Sequence, residues 1–315
     1  MGEPWYPAAM PPSSTTAPSA APVRHRDRRS GEIVEETIFA ERTLRTFYEN
    51  PLGRLFFQAL LNNRAFCTVY GWRMDSSASR KLIAPFIEKF GIDMAEAARP
   101  VEEYRHFNDF FTRTLKLGAR QWPEQAERFG APGDGKLLVY PELHADVRMP
   151  IKGTACTPAG LLTSEQAAAP FAGGAALVLR LAPPDYHRFH YPDDGTAHAS
   201  QEIPGGYESV NPVALRRVPD LFCRNKRAVT MFDSEHFGRI AYVEVGAITI
   251  GTIVQTSRPG HIERGQEKGF FRYGGSTVVL LFEPGRLQFD ADLIADSAQG
   301  MEVKVQAGEG IATAI

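Results

Sequence analysis

Cysteine is scarce in this chain. Cys67, Cys156 and Cys223 are the only three among 315 residues, odd in number and far apart. That argues against a disulfide framework and a cysteine-rich zinc site, and leaves them as small buried hydrophobes. Charge of one sign is lacking too. Thirty-five Lys and Arg against 37 Asp and Glu give a net charge of −2, so no global field draws the protein to nucleic acid. No apolar run reaches the roughly 18 residues that a membrane-crossing helix needs. No apolar signal-peptide core stands near the N-terminus.

What is present describes a globular chain. Hydrophobic residues make up 43% and charged residues 23%, which rules out a mainly disordered or collagen-like protein. At about 150 residues per domain the length allows one or two domains. Residues 1–30 hold Pro4, Pro7, Pro11, Pro12, Pro18 and Pro22, then Arg24, Arg26, Arg28 and Arg29. This reads as a disordered, weakly basic tail, with a transit peptide as the weaker alternative.

Residues 31–122 read as a helical portion. Leu82, Ile83, Phe86, Ile87 and Phe90 form a stripe at helical spacing between Ser76 and Gly91. Pro100 suits the first turn of a further helix carrying Tyr104, Phe107, Phe111 and Leu115 on one face. Segment 41–74 mixes Phe47, Leu52, Leu55, Phe56, Phe57, Leu60 and Trp72 with Arg42, Arg45, Arg54, Arg64 and Arg73. Aromatic bulk with basic residues suits a helix lying on a membrane, although a core helix is the commoner use of such a pattern.

The texture changes between Trp122 and Pro132. Short β-rich runs follow, punctuated by Gly and Pro: 137–140, 176–181, 228–232, 240–245, 248–254, 277–282, 287–290 and 301–305. Strong helices do not separate most of them, which argues against a doubly wound sheet. The expected fold class is α+β: a helical N-terminal portion, then a mainly antiparallel β body over 123–315.

Three segments carry candidate chemistry. Asp134 sits between glycines in Pro132-Gly133-Asp134-Gly135, alone no more than a turn. His187 and His190 lie in Asp185-Tyr186-His187-Arg188-Phe189-His190, pinned between prolines; histidine suits proton transfer near neutral pH. Nothing nearby offers a third ligand, so no metal site is expected. Ser276 follows Gly274-Gly275 and precedes an apolar strand. Asp134, a histidine and Ser276 are the ingredients of a Ser/His/Asp triad. Yet Ser276 lacks the Gly-x-Ser-x-Gly elbow, and a strand follows where a hydrolase would place a helix.

Taken in order, these segments resemble the phosphatidylserine decarboxylase family. Phe107-Asn108-Asp109-Phe110-Phe111-Thr112-Arg113, Lys152-Gly153, Ser209-Val210-Asn211-Pro212, Asn225-Lys226-Arg227, Val245-Gly246-Ala247 and Gly265-Gln266-Glu267-Lys268-Gly269 complete the pattern. The Gly274-Gly275-Ser276-Thr277 form is similar to the subgroup whose cleavage motif opens with two glycines. The resemblance implies a proenzyme that cuts itself between Gly275 and Ser276, giving a large chain 1–275 and a small chain 276–315. Ser276 would become a covalent pyruvoyl group, the cofactor, which decarboxylates phosphatidylserine to phosphatidylethanolamine through a Schiff base. It implies that His190 activates Ser276, that Asp134 orients His190, and that His187 protonates the product carbon. The implied partners are the lipid substrate, a membrane surface and the two chains of one precursor, and a homodimer is compatible. The implied location is peripheral, on the cytoplasmic face of the cell membrane, with an organelle inner membrane left open. The alternatives are a Ser/His/Asp hydrolase and a pyruvoyl decarboxylase of a soluble amino acid. Lys152 and Arg188 remain unassigned as head-group ligands.

Overall fold

A computed structural model describes residues 22–38, 41–143, 149–151, 154–215, 217–218, 220–247, 253–273 and 277–315. Gly274, Gly275, Ser276, Lys152 and Gly153 lie outside the described residues, as do 1–21 and the 248–252 part of one expected strand.

The described chain opens with a hairpin, β1 (Arg24–Asp27) and β2 (Ile33–Glu35). The helical portion follows: α1 (Glu41–Glu49), α2 (Pro51–Phe56), a π turn Phe57–Leu61 and α3 (Arg64–Met74). A 3-10 turn over Ser77–Leu82 feeds α4 (Ile83–Phe90), which Gly91 stops in the left-handed conformation with φ 60°. The helix expected beyond Pro100 breaks up. A 3-10 turn covers Val101–Glu103, and only α5 (Phe107–Phe111) is α-helical. His106 Nδ1 caps α5 by accepting from the Asp109 N–H at 3.1 Å, so a new helix starts where the apolar stripe suggested continuation.

The β body contains β3 (Arg128–Gly130), β4 (Gly135–Tyr140), β5 (Met149–Ile151) and β6 (Thr154–Cys156). Helices α6 (Pro158–Leu162) and α7 (Glu165–Ala168) lead to β7 (Ala175–Arg180), β8 (Arg188–His190), β9 (Gly195–Ala197) and β10 (Gln201–Ile203). After α8 (Pro212–Leu215) and α9 (Leu221–Arg224) come β11 (Arg227–Ser234), β12 (Gly238–Val245), β13 (Ile253–Gln255), β14 (Gly260–Ile262) and β15 (Glu267–Phe271). Then β16 (Thr277–Phe282), β17 (Leu287–Phe289), α10 (Ala291–Ala298), β18 (Glu302–Val305) and β19 (Gly310–Ala314) complete the chain.

The main sheet runs β14-β9-β11-β12-β16-β7-β4-β18-β1-β2, with β10 also on β11. Among its described strands only β1 and β18 pair in parallel, so the fold is α+β with mainly antiparallel sheets. Side chains alternate across it. Val279 and Leu281 of β16 enter one core with Tyr48, Phe57, Leu161 and Phe222. Val278, Leu280 and Phe282 enter the other with Phe129, Phe189 and Phe271. A fully buried central strand therefore reads as an unbroken apolar run.

Residues 22–30 depart from the expected tail. β1 lies on β18, Arg26 binds Asp296 at 2.7 Å, and Arg28 binds Asp290 and Asp292, each at 2.7 Å. The carboxylates that hold these arginines lie at the far end of the sequence, so local composition could not show them.

Candidate active site

The histidine run is fixed by a buried ion pair. Prolines 183 and 184 restrict the turn after β7. Asp185 then closes it: its carboxylate accepts from the Ala182 N–H at 2.6 Å, and its N–H donates to the Ala182 carbonyl at 2.9 Å. Lys136 of β4 binds both carboxylate oxygens, at 2.9 and 2.8 Å. Burial alone would raise the Asp185 pKa, but the Lys136 ammonium outweighs it and holds the carboxyl below its usual range. Breaking such a buried pair by removing one partner costs about 3–5 kcal/mol.

The clamp sets the state of His187. Its Nδ1 lies 2.8 Å from the Asp185 carbonyl. A carbonyl only accepts, so Nδ1 carries the proton and Nε2 keeps a lone pair. The ring is fully buried and lies 4.0 Å, centroid to centroid, from Phe111. Burial pulls its pKa down to about 3, so His187 is a neutral imidazole. Among the described residues its buried Nε2 has no hydrogen-bond partner.

His190 follows the same logic on the next turn of strand. Its Nδ1 donates to the Gly265 carbonyl at 2.9 Å, and its Nε2 faces the Tyr186 hydroxyl at 3.3 Å. Burial lowers its pKa. The Gly265 carbonyl and the charges of Glu267 and Asp134 oppose that shift.

Asp134 is held differently from the expectation. Arg120 grips its carboxylate at 2.9 and 2.6 Å, and the Ala307 N–H donates to it at 2.9 Å. No hydrogen bond joins Asp134 to His190 among the described residues. The two are linked through the backbone, because the His190 N–H donates to the Pro132 carbonyl at 2.8 Å, and through Coulombic attraction. Gly135 allows the close approach: a Cβ there would stand 2.7 Å from the Arg180 carbonyl oxygen.

Ser276 and Gly275 lie outside the described residues, but both flanks are fixed. On one side, the Tyr273 N–H donates to Asn108 Oδ1 at 3.2 Å. The Tyr273 ring meets Phe107 and Phe111 edge-on at 4.9 and 5.1 Å. Asn108 is anchored in turn by donating to Asp75 at 2.9 Å. On the other side, Thr277 is paired with Val245 of β12 and Arg180 of β7. Among the described residues its buried Oγ1 has no hydrogen-bond partner. The Phe271 N–H donates to the His187 carbonyl at 2.9 Å, so His187 lies beside the strand that leads to Tyr273.

The family model for phosphatidylserine decarboxylase matches residues 107–313. The chain belongs to the phosphatidylserine decarboxylase family. It is 41% identical over 290 residues to the phosphatidylserine decarboxylase proenzyme of Ruminiclostridium cellulolyticum, covering 92% of this chain and 97% of that protein. The Chlamydia trachomatis serovar L2 proenzyme is 41% identical over 287 residues, covering 90% and 95%. That of Clostridium beijerinckii is 39% identical over 290 residues, covering 92% and 98%.

Within this decarboxylase-family site, the sequence reading missed Arg120, Lys136 and Tyr186 as partners of the acid and the histidines. Asn108 and Asp185 stood inside quoted motifs but had no role. Arg120 and Lys136 had no local signal, since each is an ordinary cation until the fold supplies its carboxylate. Arg188 binds Glu267 at 2.7 Å and donates to the Thr112 carbonyl at 2.8 Å, so its guanidinium is committed within the protein.

The helices of segment 41–74 divide between core and surface. Phe57 is fully buried and Tyr48 nearly so, against the expectation that placed Phe57 with the membrane-facing residues. Leu52, Leu55, Phe56, Leu60, Val69 and Trp72 are exposed, from 49% to 77%. Glu208 anchors the segment: its buried carboxylate accepts from Tyr48, Arg54, Gln58 and Asn62 at 2.7–3.2 Å. Among the described residues no helix is long and apolar enough to cross a membrane.

Proposed function

We propose that this chain is a proenzyme that cleaves itself at Gly275-Ser276 and then decarboxylates phosphatidylserine to phosphatidylethanolamine. The observation that carries the reading is a pair of neutral, lone-pair-bearing imidazoles on the run that adjoins the clamped flank of Gly274-Gly275-Ser276. A serine hydroxyl needs a base before it attacks. His190 takes that proton at Nε2, with Tyr186 as its resting partner. The Ser276 oxygen attacks the Gly275 carbonyl and the peptide bond becomes an ester; its elimination leaves a Gly275 carboxylate on one chain and a dehydroalanine on the other, which water converts to the pyruvoyl group with loss of ammonia. Asp134 acts on His190 through its charge and through the shared turn, and Arg120 holds it in place.

Among the described residues the Nε2 of His187 and the Oγ1 of Thr277 have no hydrogen-bond partner, which suits them to face a carbonyl group built from Ser276. A pyruvoyl group there supplies the electron-withdrawing carbonyl that decarboxylation of an amino acid requires. In its resting state His187 can only accept a proton at Nε2. The ammonium of the serine head group must shed one before its nitrogen can react. His187 is the group placed to carry a proton at Nε2 to the carbon that loses carbon dioxide.

Residues 276–315 hold β16, in the middle of the main sheet, and β18, which β1 and β4 flank. The small chain thus stays within the fold after cleavage. The exposed face of α2 and α3, with Arg42, Arg64 and Arg73 exposed nearby, supports peripheral binding to an anionic bilayer.

Intact mass under denaturing conditions tests the first step. Wild-type protein should give a fragment of residues 276–315 with a pyruvoyl N-terminus, and Ser276→Ala a single chain. Processed protein should then convert phosphatidylserine in vesicles to phosphatidylethanolamine and carbon dioxide. A wild-type chain that stays intact, or a processed one that decarboxylates free serine but not the lipid, would overturn the reading.

A further inference from the structure

Among the described residues five cations are buried: Arg113, Lys136, Arg180, Arg227 and Lys268. Lys136 is held by Asp185 at 2.8 Å, Arg180 by Glu36 and Glu302 at 2.6 Å, and Lys268 by Glu244 at 2.6 Å. Arg227 donates instead to the backbone carbonyls of Gly160, Leu161, Cys223 and Asn225, at 2.6–3.0 Å. Arg113 has neither kind of compensation. Its Nη2 donates to the Pro184 carbonyl at 3.0 Å. Its Nη1 is buried and has no hydrogen-bond partner among the described residues. A buried charge left in this way is costly unless an anion meets it.

Arg113 lies beside the histidine run. Pro184, which it holds, precedes Asp185, whose carbonyl accepts from His187. Phe111, two residues before Arg113, lies 4.0 Å from the His187 ring. The guanidinium carbon stands 5.2 Å from the centre of the Phe110 ring. Tyr104 packs edge-on against that same ring at 5.6 Å, and among the described residues its buried hydroxyl also has no hydrogen-bond partner. Two donors around one ring thus lack an acceptor. α3 joins this cluster where Tyr70 stacks on Tyr273 at 6.1 Å, while its Val69 and Trp72 are exposed.

We propose that Arg113 binds the phosphodiester of the phosphatidylserine head group through Nη1, and so selects a phosphate-bearing serine over the free amino acid. The proposal rests on the decarboxylase reading above. The head group carries two anions, and their chemistry separates them. The carboxylate loses its charge as carbon dioxide leaves, so a cation on it would stabilise the ground state more than the transition state and slow the step. The phosphodiester keeps its charge throughout, so a cation there strengthens binding without opposing the reaction. Its two unbridged oxygens accept well from a guanidinium.

The test compares full-length wild type, Arg113→Gln and Arg113→Lys on phosphatidylserine in mixed micelles. Glycerophosphoethanolamine, which has the phosphodiester but no carboxylate, is the competitor. Intact mass first shows whether each protein has cleaved itself. Arg113→Gln should raise KM and the inhibition constant of the competitor by the same factor, roughly tenfold or more, the scale of a hydrogen bond to a charged group. Its kcat should stay within about threefold of wild type, because the lost contact is made equally before and during the chemical step. Arg113→Lys should recover part of both constants. Ethanolamine, which lacks the phosphate, should inhibit wild type and Arg113→Gln alike. A raised KM with an unchanged competitor constant would put the carboxylate on Arg113 and overturn the proposal. A fall in kcat with both constants unchanged would do the same, since Arg113 would then only position the His187 turn through Pro184. Failure of both variants to cleave would assign Arg113 to folding or self-cleavage and also refute it. A wild-type protein that neither cleaves nor decarboxylates the lipid would instead refute the decarboxylase reading.

Discussion

Replacing Asn108 with alanine tests how the fold presents the cleavage segment. Asn108 is buried, accepts from the Tyr273 N–H at 3.2 Å and donates to Asp75 at 2.9 Å. Alanine leaves the Tyr273 N–H buried and without that acceptor, at a cost of about 1–3 kcal/mol. If that cost falls on the geometry of Gly274-Gly275-Ser276, cleavage slows roughly 5- to 150-fold, since each 1.36 kcal/mol on a barrier is tenfold in rate. The assay is cell-free synthesis, a chase, and separation of the precursor from its two chains over time. Asn108→Asp keeps an acceptor for Tyr273 but sets a carboxylate against Asp75, so it should also slow processing. Adding Asp75→Asn should recover part of the rate. An Asn108→Ala protein that melts lower than wild type yet cleaves with the wild-type half-time would refute the reasoning, because Asn108 would then serve stability alone.

Arg180 binds Glu36 and Glu302, each as close as 2.6 Å, within the core. Arg180→Met should destabilise by about 3–5 kcal/mol by stranding two carboxylates, and adding Glu36→Gln and Glu302→Gln should recover much of it in a denaturant titration. The His187 pKa lies at about 3, below its ordinary 6.5, so the unfolded chain binds the extra proton. The stability this contributes is complete above pH 6.5 and is lost as pH falls toward 3. His187→Gln should remove that part of the acid slope; an unchanged slope would contradict the neutral assignment. Serine at Leu55, Phe56, Leu60 and Trp72 together should leave self-cleavage intact and reduce co-sedimentation with anionic vesicles. Phe57→Ser alone should lower Tm instead, because that ring is in the core. Full vesicle binding by the fourfold variant would rule out this face as the contact.

The sequence by itself determined the class of the fold, and it did so through local chemistry. β16 reads as a strand because Val278–Phe282 is an uninterrupted apolar run, and burial on both faces demands that pattern. The order of short motifs was enough to point to the family, and Asp134, His187, His190 and Ser276 stood out because Gly, Pro and His are informative at single positions. Only the tertiary structure decided the partners. Arg120 and Asp134, Lys136 and Asp185, and Asn108 and Tyr273 are separated along the chain and meet where strands and turns cross. It also decided that Arg26 and Arg28 are held by carboxylates rather than solvated in a tail, and that Phe57 points inward while Phe56 points outward. The physical reason is common to all of these. Periodicity and turn chemistry are local, so one stretch of residues specifies them. A buried charge or an unpaired N–H is satisfied by whichever distant group the packing delivers, and no local pattern encodes that choice.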